Sequence, residues 1–283
     1  GQELNELERL TRFAGNFKPT FWSKYIQTEL AKDLVIANWT DYKFEGEIKY
    51  KERVKIVGAV RPTIGTYVPG TDINIEKLGD NSQYLDIDHA DYFAFEVDDV
   101  DKAQSTPGYL DTQFSEAKKA LAESEDHALA EVAAKGALST MTSSSIDISA
   151  ATSPLDSIDA GLVKLYQNNV STMEELAADL NAEHITLIRS KLANLFTDNV
   201  EYIKKGAIGK YNNTLLRLSN NLYNNGTDDM ELLRTRKALA AVNQIDKLET
   251  CRKEKGFASI IKGLNVYGAK VVRPKELYVI KVH

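Results

Sequence analysis

Four residues in the first third of the chain have side chains suited to a metal site or to proton transfer: Asp86, Asp88, His89 and Asp91. Carboxylates beside an imidazole bind hard cations and act as general acids or bases. On a strand, however, Asp86 and Asp88 point to one face while His89 and Asp91 point to the other, so a common site would need a bend or a second segment. We therefore favour a solvated acidic strand face, and a metal-dependent enzyme using these four residues stays a remote alternative.

The remaining chemistry-bearing residues form no recognised catalytic set. The chain lacks GxSxG, CxxC, GxxxxGK[ST] and GxGxxG sequences, and its one cysteine, Cys251, has no nearby histidine in sequence. His127 lies outside any HExxH spacing, and His184 and His283 are isolated. Three further carboxylates lack the calcium-loop pattern and suit a helix start instead: Asp98, Asp99 and Asp101. We predict no catalytic residues, no metal and no cofactor.

The acidic residues at 86–91 and 98–101 lie on either side of a predicted strand, and a predicted long helix follows them. In YFAFEVDDVDKAQ (92–104), the apolar Phe93, Phe95 and Val97 alternate with Tyr92, Ala94 and Glu96, which predicts a strand with one buried face. Helical periodicity then runs from about 109 to 138. Its charged residues are predicted to face solvent: Glu116, Lys118, Lys119, Glu123, Glu125 and Asp126.

The other elements are predicted from shorter patterns. Strands are expected within 42–56 and 73–75, at 264–272 and at 277–282, and a hairpin turn at Asn212-Asn213. We predict helices at 156–168, 172–182 and 186–195, and helix-compatible sequence at 246–255. The serine-rich run 139–154 is predicted to be a linker and a domain boundary.

Composition and charge limit the possible classes of protein. With 43% hydrophobic residues the 283-residue chain has enough apolar side chains for a core. No stretch approaches the roughly 20 apolar residues of a membrane helix, and we expect neither a membrane span nor export. Residues 1–200 contain 19 Lys and Arg against 33 Asp and Glu, whereas 201–283 contain 16 against 8. Opposite charge in two regions favours head-to-tail contact between copies.

Four stretches in collinear order carry a resemblance to a known family: 16–56, beginning NFKPTFWSKY; 92–104; GKYNNTLLRLSNNL at 209–222; and 249–280, ending KGLNVYGAKVVRPKELYVI. Together they resemble the major capsid proteins of tailed bacteriophages with the HK97-type fold, in the lineage of P22-type coat proteins. The resemblance covers 16–138 and 205–283, and the lobe at 145–204 departs from the family's usual pattern.

The resemblance implies an α+β, HK97-like capsid fold with four parts. These are an N-terminal arm (1–40), an extended β-hairpin loop or E-loop (41–80), a peripheral domain (81–145 and 255–283) with a spine helix at 109–138 on an antiparallel sheet, and an axial domain (146–254). The residues that we expect at subunit contacts are Trp22 and Tyr25 on the arm, Glu45, Lys49, Arg53 and Lys55 on the loop, and Asp98, Asp99 and Asp101 at the start of the spine.

The function implied is structural. Copies of the chain would form pentamers and hexamers of an icosahedral head that encloses double-stranded DNA without sequence-specific binding. The implied partners are further copies, a scaffolding protein, a portal and possible decoration proteins. The implied location is the virion, with assembly in the host bacterial cytoplasm. An encapsulin-like compartment that holds an enzyme cargo is the alternative with the same fold.

Overall fold

The structure, a computed structural model, describes residues 35–42, 50–56, 62–66, 68–70, 72, 75, 82–98, 109–150, 153–191 and 207–283. These residues form an α+β fold with two main β-sheets and one long helix that contacts both. Within these ranges, no helix combines the length and apolar character that crossing a membrane requires.

The long helix, α1 (Tyr109–Gly136), has 28 residues and is about 42 Å long at 1.5 Å per residue. Its buried side chains recur at helical spacing and include Phe114, Leu121 and Leu129. The sequence-based prediction of a helix at 109–138 is thereby confirmed to within two residues. The ring of Phe114 meets Phe95 edge to face at 5.5 Å, which fixes the helix on the sheet beneath it.

That sheet has three antiparallel strands in the order β10, β11, β3. The strands are β3 (His89–Asp98), β10 (Leu239–Arg252) and β11 (Ala258–Val271). As predicted from alternation, Phe93, Phe95 and Val97 face the core, while Tyr92 is 77% exposed. The prediction that residues 246–255 are helix-compatible is wrong, because residues 247–252 pair with β11 and long-range pairing outweighs local propensity.

A separate two-stranded sheet lies beside the three-stranded one. Strand β1 (Arg53–Ile56) pairs antiparallel with β2 (Gln83–Asp86), and Ile56 and Leu85 pack against β10 and β11. At Gly268 of β11, an added Cβ would lie 2.3 Å from the carbonyl oxygen of Asp86. Glycine is therefore required where the two sheets touch.

The larger sheet has the order β4, β12, β9, β5, β7, β6, with β8 on β9. Its strands are β4 (Thr142–Ile146), β5 (Leu176–Leu180), β6 (Ala207–Tyr211), β7 (Thr214–Leu218), β8 (Tyr223–Asn224), β9 (Asp229–Thr235) and β12 (Leu277–Val282). Helices α2 (Asp156–Gln167) and α3 (Ala182–Lys191) pack on one face. Leu232 and Val279 on the other face pack against α1.

The sequence led to three predictions for residues in or beside this sheet, and the structure agrees with them to different degrees. The Asn212-Asn213 turn is confirmed, because both residues have positive φ (44° and 61°) between β6 and β7, as a tight hairpin requires. The predicted helix at 172–182 is wrong, since β5 lies there, buried on both faces, where a short apolar run does not distinguish strand from helix. The predicted linker 139–154 contains β4, which pairs in parallel with β12.

Candidate functional site

Of the predicted contact residues, Arg53 and Lys55 have described side chains, and both are exposed on β1. Arg53 Nε lies 2.6 Å from Asp86 Oδ1 across the β1–β2 pair, and the two side chains are 69% and 58% exposed. Such a surface ion pair contributes only about 0–1 kcal/mol. Asp98 ends β3 opposite Ala258. The others lie outside the described residues: Trp22, Tyr25, Glu45, Lys49, Asp99 and Asp101.

The four residues considered for a metal site are held by different neighbours. Asp86 pairs with Arg53, and the His89 ring stacks on Tyr267 at 5.1 Å. The Asp91 carboxylate accepts hydrogen bonds from the hydroxyls of Ser124 and Tyr267. Asp88 Oδ1 and His89 Nε2 lie 3.4 Å apart. Among the described residues no group of three or more His, Cys, Asp or Glu could hold a metal ion.

The polar centre of the fold was not predicted from the sequence. Residues 35–42 form a short segment with one helical turn, Ala37–Trp39, which lies against α1. The Asp126 carboxylate accepts from the backbone N–H groups of Val35 (2.8 Å), Ile36 (3.3 Å) and Ala37 (3.2 Å). The prediction that Asp126 faces solvent is wrong: it is 1% exposed, because the segment covers this side of the helix.

Glu125, the neighbour of Asp126, is also buried, and its predicted exposure is wrong for the same reason. Its carboxylate accepts from the Tyr42 hydroxyl at 3.2 Å and from the side-chain amides of Asn243 (2.9 Å) and Asn265 (3.3 Å). Burial raises the pKa of Glu125 to about 7, although these hydrogen bonds lower it. Burial also raises the pKa of Asp126.

Arg234 on β9 holds the same segment from the opposite side. Its guanidinium donates to the carbonyl oxygens of Trp39 and of Ile36, the second at 2.8 Å. Complete burial lowers the pKa of Arg234 to about 10, which still leaves it charged at neutral pH. A carboxylate on α1 thus binds the amides of the segment, and a guanidinium on the large sheet binds its carbonyls.

Two more buried charges extend this network across the large sheet. Arg217 of β7 donates to Asp179 Oδ1 of β5 through Nε (2.7 Å) and Nη2, and Asp179 Oδ2 is 3.6 Å from Arg234 Nη2. All three side chains are fully buried. Each lies within a short apolar strand, LAADL, TLLRL or ELLRT. A charge inside such a run is the sequence signal that indicates a buried ion pair.

On the opposite face of the large sheet, His184 of α3 is also part of a buried pair. Its Nδ1 lies 2.7 Å from Glu231 Oε2, and its Nε2 lies 2.6 Å from the carbonyl oxygen of Pro154. Burial lowers the pKa of His184, but these two acceptors outweigh burial and raise it above the ordinary value. Because both nitrogens face acceptors, the arrangement favours the ring that carries two protons. In the sequence this histidine seemed isolated.

This chain is similar to known proteins in its three-dimensional structure. No established family profile matches the sequence, and no curated protein matches it. A structure from Mycobacterium phage Che8 is 27% identical and has a TM-score of 0.65, covering 87% of this chain and 90% of that one. The capsid of cyanophage P-SCSP1u is 16% identical with a TM-score of 0.66, and 88% of each chain is covered.

An encapsulin from Synechococcus elongatus has the same fold at lower similarity. It is 12% identical with a TM-score of 0.54, covering 72% of this chain and 75% of that one. The two phage structures cover 87% and 88% of this chain. The chain therefore has the HK97-type fold, and its likeness is to the major capsid proteins of tailed bacteriophages.

Proposed function

We propose that this protein is a major capsid protein, whose copies form the pentamers and hexamers of an icosahedral head around double-stranded phage DNA. The observation that supports this most strongly is the extent of the likeness to phage capsid structures. It covers 87% and 88% of this chain and 90% and 88% of the respective phage chains. A scaffolding protein, a portal and decoration proteins are the partners we propose beyond further copies, with assembly in the host cytoplasm.

The exposure of apolar residues in the predicted extended loop supports contact with a neighbouring copy. Ile64 is 85% exposed and Ile75 is 84% exposed, and Val68 is also exposed. A two-stranded element of this kind is marginally stable by itself, and exposed apolar side chains gain stability when they are covered. We propose that the loop 41–80 lies on an adjacent subunit, as the arm 1–40 would through Trp22 and Tyr25.

The unequal charge along the chain supports a head-to-tail arrangement of copies. The acidic excess lies in residues 1–200 and the basic excess in 201–283. In a ring, each interface joins two different patches, so patches of opposite sign attract each other. We propose contact roles for the loop residues Glu45, Lys49, Arg53 and Lys55 and for the spine-start residues Asp98, Asp99 and Asp101.

The loop assignment is tested by charge reversal at Arg53. Because Arg53 and Asp86 are exposed, Arg53→Glu should leave the circular dichroism spectrum unchanged while particles become rare in negative-stain electron microscopy. The control is the double variant Arg53→Glu with Asp86→Arg, which restores the ion pair within the chain. If Arg53 contacts a neighbour, the double variant should also fail to assemble. Normal particles from the single variant would contradict the loop assignment.

A second candidate function is an encapsulin-like compartment, which the structural likeness to the Synechococcus encapsulin favours. The two candidates differ in the contents of the particle. Purified particles should be treated with nuclease, opened, and examined for nucleic acid and for co-purifying protein. Protected double-stranded DNA would support the phage capsid, whereas a stoichiometric enzyme without DNA would support the compartment.

A further inference from the structure

Glu125 is a buried acid whose hydrogen-bond donors in the described part of the chain are all neutral. The donors to Glu125 are the Tyr42 hydroxyl and the side-chain amides of Asn243 on β10 and Asn265 on β11, and Asp126 likewise accepts from neutral backbone amides. Asp179, by contrast, is bound directly by a guanidinium. A buried carboxylate with neutral donors has little charge compensation, so its ionised form is costly.

The charged and titratable groups near Glu125 lie on α1, on β9, on β11 and on the segment 35–42. Asp126, next to it on α1, disfavours a second negative charge. Arg234 of β9 lies farther off and acts on Tyr42 and Asp126. The phenols of Tyr42 and Tyr267 both have a pKa raised chiefly by burial, so they stay neutral. Because burial raises the pKa of Glu125 to about 7, we assign to Glu125 the proton that this cluster exchanges near neutral pH.

Asn265 is suited to either protonation state of Glu125. Its Nδ2 donates to Glu125 Oε2 at 3.3 Å, while its own Oδ1 is buried and has no hydrogen-bond partner among the described residues. Rotation of the amide by 180° would bring Oδ1 to the position of Nδ2, where it would accept a hydrogen bond from the O–H of a neutral Glu125. The ionised acid binds the donor of this amide, and the neutral acid binds its acceptor.

We propose that Glu125 is a proton switch that controls how often residues 35–42 separate from α1. Separation removes the Tyr42 hydroxyl from Glu125 and admits water to the carboxylate. In water the acid ionises readily, so the separated state binds fewer protons than the closed one. By linkage, a rise in pH favours the state that has released its proton.

The direction and range of the effect follow from the two protonation equilibria. The closed state has a Glu125 pKa of about 7, and the hydrated acid has its ordinary value of 4.5. Between these values the closed state holds a proton that the separated state lacks. The separation equilibrium should therefore rise by up to about tenfold per pH unit and level off above pH 7. Protonation closes the segment, and deprotonation loosens it.

Hydrogen–deuterium exchange of the full-length chain tests this inference. Protection of the amides of residues 36–42 should be measured between pH 5.5 and 7.5, with each rate corrected for the intrinsic pH dependence of exchange. In the unmodified protein, protection should fall as pH rises. In Glu125→Gln it should be independent of pH. Glu123→Gln, an exposed substitution on the same helix, should behave as the unmodified protein does.

A second variant keeps the test decisive if Glu125→Gln fails to fold. Tyr42→Phe removes one donor that stabilises the charged carboxylate, so the pH at which protection levels off should rise. The proposal is overturned if Glu125→Gln keeps the pH slope, which would assign the proton to Asp126 or another group. It is also overturned if Tyr42→Phe leaves the midpoint unchanged. Either result is independent of whether the chain forms a shell.

Discussion

Replacement of Asp179 by leucine should destabilise the fold more than any surface change. Asp179 is the carboxylate that Arg217 contacts directly in the sheet interior, and it lies 3.6 Å from Arg234. Asp179→Leu leaves both guanidiniums buried without that counter-charge. Removal of one partner from a buried ion pair costs about 3–5 kcal/mol, because the remaining charge keeps its desolvation cost. Arg217→Met should cost a similar amount, since Asp179 then keeps only the more distant Arg234.

The double variant Asp179→Leu with Arg217→Met separates electrostatic coupling from packing. Leu at 179 adds more volume than Met at 217 removes, but Asp179→Leu alone carries the same addition, so this packing cost cancels in the comparison. Arg234 keeps its bonds to the carbonyl oxygens of Ile36 and Trp39. Replacement of a whole buried pair by apolar residues is often neutral or stabilising. The double variant should therefore lose at least about 2 kcal/mol less than the two single losses added together.

Urea unfolding of the four proteins, followed by circular dichroism, measures these values. All four should be compared at one protein concentration and in the same assembly state, because association adds stability by mass action. The midpoint difference multiplied by the slope m gives the change in free energy of unfolding. Additive losses would refute the reasoning, since they would mean that Asp179 and Arg217 contribute independently. A loss below about 1 kcal/mol for Asp179→Leu would do the same.

Two further predictions concern His184 and Gly268. The raised pKa of His184 means that its protonated form stabilises the fold below its ordinary pKa of 6.5, and that this contribution is lost as pH rises through the folded value. His184→Gln should therefore flatten the urea midpoint against pH above 6.5, and an unchanged slope would count against the ion pair with Glu231. Gly268→Ala should cost about 1–3 kcal/mol or more, because the new Cβ meets the Asp86 carbonyl oxygen at 2.3 Å. Gly65→Ala is its control, since nothing lies within 4 Å of that Cβ, and equal urea midpoints for the two variants would show that β2 moves aside freely.

Sequence patterns predicted the elements that bury one face and expose the other. Strand β3 alternates at every position from Tyr92 to Val97, and the apolar side chains of α1 recur at helical spacing over seven turns. In both cases one face contacts water and the other contacts the core, and this difference produces the periodic pattern in the sequence. The Asn212-Asn213 turn was predictable because few residues other than Asn and Gly adopt positive φ at low cost.

The patterns were misleading where an element is covered on more than one side. Strand β5 is buried on both faces and shows no alternation, so its five residues resembled a helix. Residues 247–252 are mostly polar, yet they extend β10 because each of them pairs with a residue of β11. The charges of Glu125 and Asp126 indicated solvent, yet each lies four residues from buried apolar residues on either side: Leu121 and Leu129 for Glu125, and Ala122 and Ala130 for Asp126. The two acids therefore lie on the buried face of α1, where residues 35–42 and β10 provide their hydrogen-bond partners.

The chemistry of the buried anchor explains why it is polar. Residues 35–42 connect the predicted arm, 1–40, to the predicted loop, 41–80. In the proposed shell, a force that a neighbouring copy exerts on either segment would therefore reach the body of the subunit here. An apolar contact would hold such a segment in place without fixing its register, because the hydrophobic effect has no direction. Hydrogen bonds from Asp126 to three successive amides, and from Arg234 to two carbonyls, fix both the register and the orientation of the backbone. The cost of burying these charges is thus offset by a backbone segment whose position is fixed, with α1 and β9 held to the same few residues.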